Sequence, residues 1–144
     1  MRLVVIDLIP ALLSWEGRDA SDVAADADTT LQDLYDAGYR LEGVADSERS
    51  GSDLRDVLAA HGLAEWFERV ASSAEFGPLV TPRVIRRIAT SAGVSISDVA
   101  VVTAREPLAK RLQKDRIAVV LTGGPEEFWA VPEALADLGA GHRP

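Results

Sequence analysis

"LQDLYDAGYRLEGVADSERSGSDLRDVLAAHGLAEWFERVASSAEFG", residues 31–77, decides the fold of this chain. Its hydrophobic period changes from one segment to the next. Leu31 and Leu34 continue a helical spacing begun at Val23 and Ala27, and Gly38 supplies the left-handed stop. The apolar run LEGVA (41–45) comes next. Leu54, Val57, Leu58 and His61 then share a helical stripe ended by Gly62, and RVASS (69–73) is a second short run. Strands separated by helices pair in parallel through right-handed crossovers.

The same alternation continues on both sides. LVVI (3–6) precedes this stretch, and VAVVT (99–103) and IAVVL (117–121) follow it. These three runs are apolar and largely β-branched, as strands covered on both faces are. In TPRVIRRIATSAG, Thr81 caps a helix, Pro82 takes its first position, and Val84, Ile85, Ile88 and Ala92 face inward. REPLAKRLQKD offers Leu108 and Leu112 before the last strand, and VPEALADLG is a shorter helix. The pattern predicts a three-layer, doubly wound, Rossmann-like α/β domain with a five-stranded parallel sheet. It spans residues 1–139, with a short tail at 140–144. In such sheets the functional crevice lies beyond the carboxyl ends of the strands. Those ends are Asp7, ADS (45–47), SS (72–73), TARE (103–106) and LTGG (121–124).

Composition narrows the classes. At 144 residues the chain is one domain's worth of protein. A net charge of −8 argues against a nucleic-acid backbone as partner. Only Lys110 and Lys114 represent lysine, so an anion site would depend on arginine or backbone N–H groups. The absence of cysteine excludes disulfides and thiolate metal sites. Asp7 and Pro10 break the N-terminal apolar run far short of a membrane span, and it lacks a signal-peptide cleavage pattern. No membrane partner is expected, and a cytoplasmic location is.

Across nearly its whole length the sequence resembles the haloacid dehalogenase-like (HAD) superfamily. Residues 31–77 follow the family's run from the helix before its second motif to the segment before its third. TPRVIRRIATSAGVSISDVAVV continues it through the strand leading to the fourth. Family caps are inserted after motif one or between motifs two and three. Neither interval has spare length here, so the resemblance is to a capless member.

The resemblance also implies a chemistry. A strand-end aspartate attacks phosphorus, and an acid two residues on protonates the leaving group. A Ser or Thr and a Lys hold the phosphoryl oxygens. Acids after the fourth strand bind Mg²⁺ with the nucleophile. Asp7 stands at the nucleophile position, but the acid two residues later is Ile9, followed by Pro10. The motif-two hydroxyl position is Ala45, with Ser47 two residues on, and the lysine position is Leu79. The motif-four Gly-Asp reads Thr103-Ala104, and the further acid reads Leu108. Mg²⁺ sites take one or two carboxylates plus phosphate and water oxygens, so Asp7 with the carbonyl of Ile9 is a poor one. Without a metal, a phosphate meets Asp7 as a like charge, repelled by roughly 4 kcal/mol at about 4 Å and an effective dielectric of about 20.

Two functions follow as expectations. In the first, the protein has lost phosphotransfer, needs no cofactor, and acts as a binding or regulatory module. Asp7 is then a vestigial nucleophile that accepts hydrogen bonds from nearby backbone N–H groups. In the second, it is a divergent Mg²⁺-dependent phosphohydrolase that uses Asp7 as nucleophile. Asp7 and Glu106 then hold the metal, and Ser47 or Arg105 assists. Each helper also has a structural reading. Asp46 and Ser47 cap a loop or helix, Glu106 sits in a helix's first turn, and Arg83 and Arg86 lie on a solvated helical face. LTGGPEE lacks both the third glycine of a dinucleotide site and the Lys-Ser/Thr of a P-loop, which leaves a turn. A protein partner or a second copy would meet the crevice loops near Trp15 and Trp129.

Overall fold

The computed structural model describes the backbone of residues 2–16, 19–24 and 26–141, and the side chains of these except 14–16, 19–22 and 140–141. The central layer is a five-stranded parallel sheet. Its strands are β1 (Leu3–Asp7), β4 (Arg40–Ala45), β5 (Arg69–Ser72), β6 (Val99–Thr103) and β7 (Ala118–Leu121), in the order β5-β4-β1-β6-β7. All five coincide with the apolar runs of the sequence. β1 is central, paired with β4 through Ile6↔Gly43 and with β6 through Ile6↔Val102.

Alternation along β1 divides the core in two. Val4 and Ile6 belong to one apolar cluster with Leu31 and Leu34 of α2 (Ala27–Asp36) and Leu54 and Leu58 of α3 (Gly51–Ala60). Phe128 and Leu135 join them, the latter from α7 (Val131–Gly141). Leu3 and Val5 face the second cluster, with Ile85 and Ala89 of α5 (Pro82–Ala92) and Ala109 and Leu112 of α6 (Glu106–Lys114). The helices therefore cover both faces. The order of connection reverses at β1, which opens a crevice at its carboxyl end.

Local chemistry sets the helix starts. Ser50 Oγ accepts from Asp53 N to cap α3, and Thr81 Oγ1 accepts from Val84 N to cap α5, with Pro82 in the first turn. Gly38 adopts φ +93 after α2, a conformation that disfavours any side chain. His61, expected on the apolar stripe of α3, is instead exposed at the end of that helix.

The segment after β1 differs from expectation. A single turn, α1 (Leu8–Ala11), leads into an antiparallel hairpin of β2 (Leu13–Glu16) and β3 (Asp19–Val23), with Leu13 opposite Val23. Val23 is thus a strand residue and not the start of the following helix. The break falls at Asp26, whose φ of +56 lies outside helical space, so the helix begins only at Ala27. The last helix runs to Gly141, and residues 142–144 of the expected tail lie outside the described residues. Among the described residues no helix is long and apolar enough to cross a membrane.

Candidate functional site

Three neighbouring strands end at the crevice, and each contributes a polar side chain. Asp7 is the last residue of β1 and Thr103 the last of β6, while Asp46 follows the end of β4. Asp7 is fully buried. The strand register sets Thr103 beside it, and the Thr103 hydroxyl donates to Asp7 Oδ2 at 2.8 Å.

The fourth member is Arg105. It is the N-cap of α6, held extended (φ −100, ψ 101), and its N–H donates to Thr103 Oγ1 at 3.1 Å. From there its side chain reaches back over the end of β1. Nε donates to Asp7 Oδ2 at 2.8 Å and Nη2 to Asp7 Oδ1 at 3.0 Å, a two-pronged clamp. Nη1 donates to Asp46 Oδ2 at 2.9 Å. Asp46 is itself fixed, because its Oδ1 accepts from the backbone N–H of Leu79 at 3.2 Å. One guanidinium therefore bridges two carboxylates from separate strands, with 29% of its side chain exposed.

The electrostatics differ at the two ends of the clamp. Burial pushes the Asp7 carboxyl up, and the Arg105 hydrogen bond and charge, then the Thr103 hydroxyl, only partly offset this. Its pKa is therefore raised from the ordinary value. Burial also works against the charge of Arg105, but Asp7 and then Asp46 more than offset it, and its pKa rises. The guanidinium is thus held as a cation, while the carboxylate carries its charge against the cost of burial.

The expectation that Asp7 would accept from backbone N–H groups is corrected here, since its donors are the side chains of Thr103 and Arg105. The guanidinium brings a fully buried anion an opposite charge as well as two hydrogen bonds, which neutral amides do not. Ser47 lies on the loop after β4 and builds a turn. Its Oγ accepts from Arg49 N at 3.1 Å, and its N–H donates to Ser73 Oγ at 2.8 Å. The Ser73 hydroxyl donates to the Ser47 carbonyl at 3.2 Å and the Ser72 hydroxyl to the Arg49 carbonyl, joining the loops after β4 and β5. Glu106 opens α6, faces solvent and pairs with Lys110 Nζ at 3.1 Å. Arg83 is exposed, as is Arg86, which donates to the carbonyl of Asp115. Leu79 is buried. Trp129 is 61% exposed beside the fully buried Phe128. The side chain of Trp15 lies outside the described residues.

The convergence of Thr103 and Asp46 on Arg105 escaped the sequence reading. The available signal was a hydroxyl and an acid at strand ends flanking Asp7, with an arginine two residues beyond one of them.

The side chains so arranged do not fit a divalent cation. Mg²⁺ takes oxygen ligands at about 2.1 Å. Both Asp7 oxygens are already committed to guanidinium N–H groups, and the guanidinium charge would repel the ion. Among the described residues no group of three or more His, Cys, Asp or Glu is placed to hold a metal.

Comparison with known proteins fits this architecture. Neither a family model nor a curated protein sequence matches the chain. Solved structures do. An uncharacterized protein from Listeria monocytogenes serotype 4b superposes with a TM-score of 0.73 at 15% identity, over 97% of this chain and 99% of that one. A HAD-superfamily hydrolase of subfamily IA, variant 1, from Geobacter sulfurreducens gives 0.70 at 11% identity, over 93% and 99%. The cobalt-bound deoxy-D-mannose-octulosonate 8-phosphate phosphatase of Haemophilus influenzae gives 0.60 at 14% identity, over 97% and 90%. The fold is HAD-like. At these identities the likeness defines the fold alone.

Proposed function

We propose that this protein is a capless HAD-fold module that has given up phosphoryl transfer and works by binding, in an interaction or regulatory role, without a metal cofactor. The observation that carries the reading is the clamp of Arg105 on both oxygens of Asp7. A nucleophilic carboxylate needs a free lone pair aimed at the incoming phosphorus, and here Arg105 and Thr103 fill three of the roughly four acceptor positions of a fully buried carboxylate. Leu79, buried where the resemblance expects a phosphate-binding lysine, offers no charge to an anion. The two carboxylates outweigh the one guanidinium, so the crevice repels a phosphate dianion. A partner would meet the loops at the carboxyl ends of the strands, where Trp129 and Leu121 are exposed.

One observation favours a second reading, a divergent phosphohydrolase: Asp7 stands at the carboxyl end of the central strand, where such folds place their chemistry. That reading requires Arg105 to leave Asp7 when substrate arrives. Turnover of p-nitrophenyl phosphate, with and without millimolar MgCl2, separates the two. The binding reading expects no turnover above background and no saturable heat on titrating Mg²⁺ into the protein. Mg²⁺-dependent turnover lost in Asp7→Asn would establish the phosphohydrolase.

A further inference from the structure

We propose that the cavity between β5 and α5 binds an amphipathic organic anion, a carboxylate carried on an apolar chain or ring. The cavity has a volume of about 610 Å³, inside the range of about 300–1,000 Å³ usual for small-molecule sites. None of Asp7, Asp46, Thr103 or Arg105 lines it, so the proposal goes beyond the reading of the crevice and stands independently of it.

Topology leaves this space open, because β5 ends the sheet. The floor is formed by two register pairs, Glu42 beside Arg69 and Val44 beside Ala71. The wall is one stripe of α5: Val84, Arg87, Ile88 and Ser91 are spaced to share a helix face. Ile85 and Ala89 of that helix are buried in the core, whereas Val84 and Ile88 stay half-buried towards the cavity. The two ends differ in character. α5 runs back against the strands, and its end meets the start of β4, where Arg40 Nη1 donates to the Ala92 carbonyl at 2.7 Å. Arg69, Arg87 and Ser91 thus lie towards the amino ends of the strands. Val44, Ala71, Val84 and the exposed Phe76 lie towards the carboxyl ends.

Charge selects the head group. The acids lining the cavity, Glu42 and Glu68, each already hold an arginine: Arg69 at 2.9 Å and Arg40 at 3.0 Å. Arg55 donates only to the carbonyls of Ala64 and Phe67, both at 3.2 Å. Arg87 has no hydrogen-bond or ion-pair partner among the described residues. Two guanidinium charges therefore line the cavity without a carboxylate, in a chain whose net charge is −8. A cationic ligand would find no free acid there, whereas a carboxylate matches the planar arginine fork.

Isothermal titration of decanoate into the full chain tests this. Decyltrimethylammonium reverses the charge of the probe, and acetate removes its apolar body. The variants are Arg87→Glu, Phe76→Asp and, as a charge-matched control, Arg83→Glu on the same helix outside the cavity. All three residues are exposed, so each variant should fold with a Tm close to wild type. Decanoate should bind one site per chain, and neither control probe should bind. Arg87→Glu and Phe76→Asp should weaken decanoate by about tenfold or more, while Arg83→Glu should keep it within about twofold of wild type. The proposal is overturned if decanoate does not bind at millimolar concentration, binds at several equivalent sites, or is matched by the cationic probe. It is equally overturned if Arg87→Glu or Phe76→Asp binds as wild type does, or if Arg83→Glu loses as much as Arg87→Glu. None of these outcomes bears on the phosphatase assay, and wild-type turnover would leave the cavity's ligand untouched.

Discussion

Replacing Asp7 with alanine removes one side of the clamp and strands the other. Asp7 is fully buried and accepts three hydrogen bonds, from Arg105 Nε and Thr103 Oγ1 at 2.8 Å and from Arg105 Nη2 at 3.0 Å. Deleting one partner of a buried ion pair costs about 3–5 kcal/mol, mostly because a charge is left uncompensated. Arg105 keeps Asp46, and its side chain is 29% exposed, so water and the second carboxylate recover part of that loss. The expected cost is about 2–3 kcal/mol, or a fall in Tm of about 4–12 °C for a domain of this size. Urea unfolding followed by circular dichroism should show a lower midpoint at unchanged slope, because the surface exposed on unfolding is the same. If the loss belongs to the pair, Asp7→Ala and Arg105→Ala together should cost less than the sum of the singles, by roughly 1.5 kcal/mol. An Asp7→Ala protein as stable as wild type, or more so, would refute the reasoning. That is the behaviour of a carboxylate held under strain for catalysis.

Other perturbations read the same cluster from different sides. Thr103→Val keeps the shape but removes the hydroxyl that donates to Asp7 and accepts from Arg105 N, and chemical denaturation should register a loss of about 1–2 kcal/mol. Leu79→Lys restores the side chain that the family resemblance expects. Its site is buried, so denaturation should show a loss exceeding about 2 kcal/mol, and p-nitrophenyl phosphate should reveal no gained activity. The pH dependence has a definite sign. The folded-state pKa of Asp7 is raised, so on acidification the folded protein takes up that proton before the unfolded chain does. This contribution is fully present below the unfolded pKa and fades as pH rises through the folded one. The Tm of wild type relative to Asp7→Asn should therefore increase as pH is lowered from neutral towards about 4, and a decrease would contradict the burial-dominated shift.

The strands were legible because burial on both faces demands apolar, largely β-branched runs, and Leu3–Asp7 or Val99–Thr103 admit little else. Helix caps were legible where one residue does the capping, as Thr81 does. The hairpin of β2 and β3 was not. Leu13–Glu16 and Asp19–Val23 are short and acidic, lack an apolar stripe, and Val23 falls by coincidence in register with the following helix. At the site, Asp7 was found because a single strand end announces it. The clamp was not found, because Arg105 lies 98 residues from Asp7 and 59 from Asp46, and no local spacing encodes such a meeting. In the sequence Arg105 stood only as an assistant to Asp7 in a phosphohydrolase. Between two acids it becomes their shared counter-charge.

The place of β1 in the sheet also bears on how the chain assembles. Its two neighbours come from distant parts of the sequence: β4 begins at Arg40, but β6 begins only at Val99. On the ribosome, β1 can pair with β4, and β4 with β5, while the other edge of β1 remains bare until β6 emerges. That edge belongs to Leu3–Asp7, which is completely buried in the finished protein, and an unpaired apolar strand edge is a template for association with other chains. Nascent chains halted before residue 99 should bind chaperones or aggregate, and those extended beyond residue 121 should resist limited proteolysis. The cooperative unit of this fold is thus closed late in synthesis, by the strand whose last residue is Thr103.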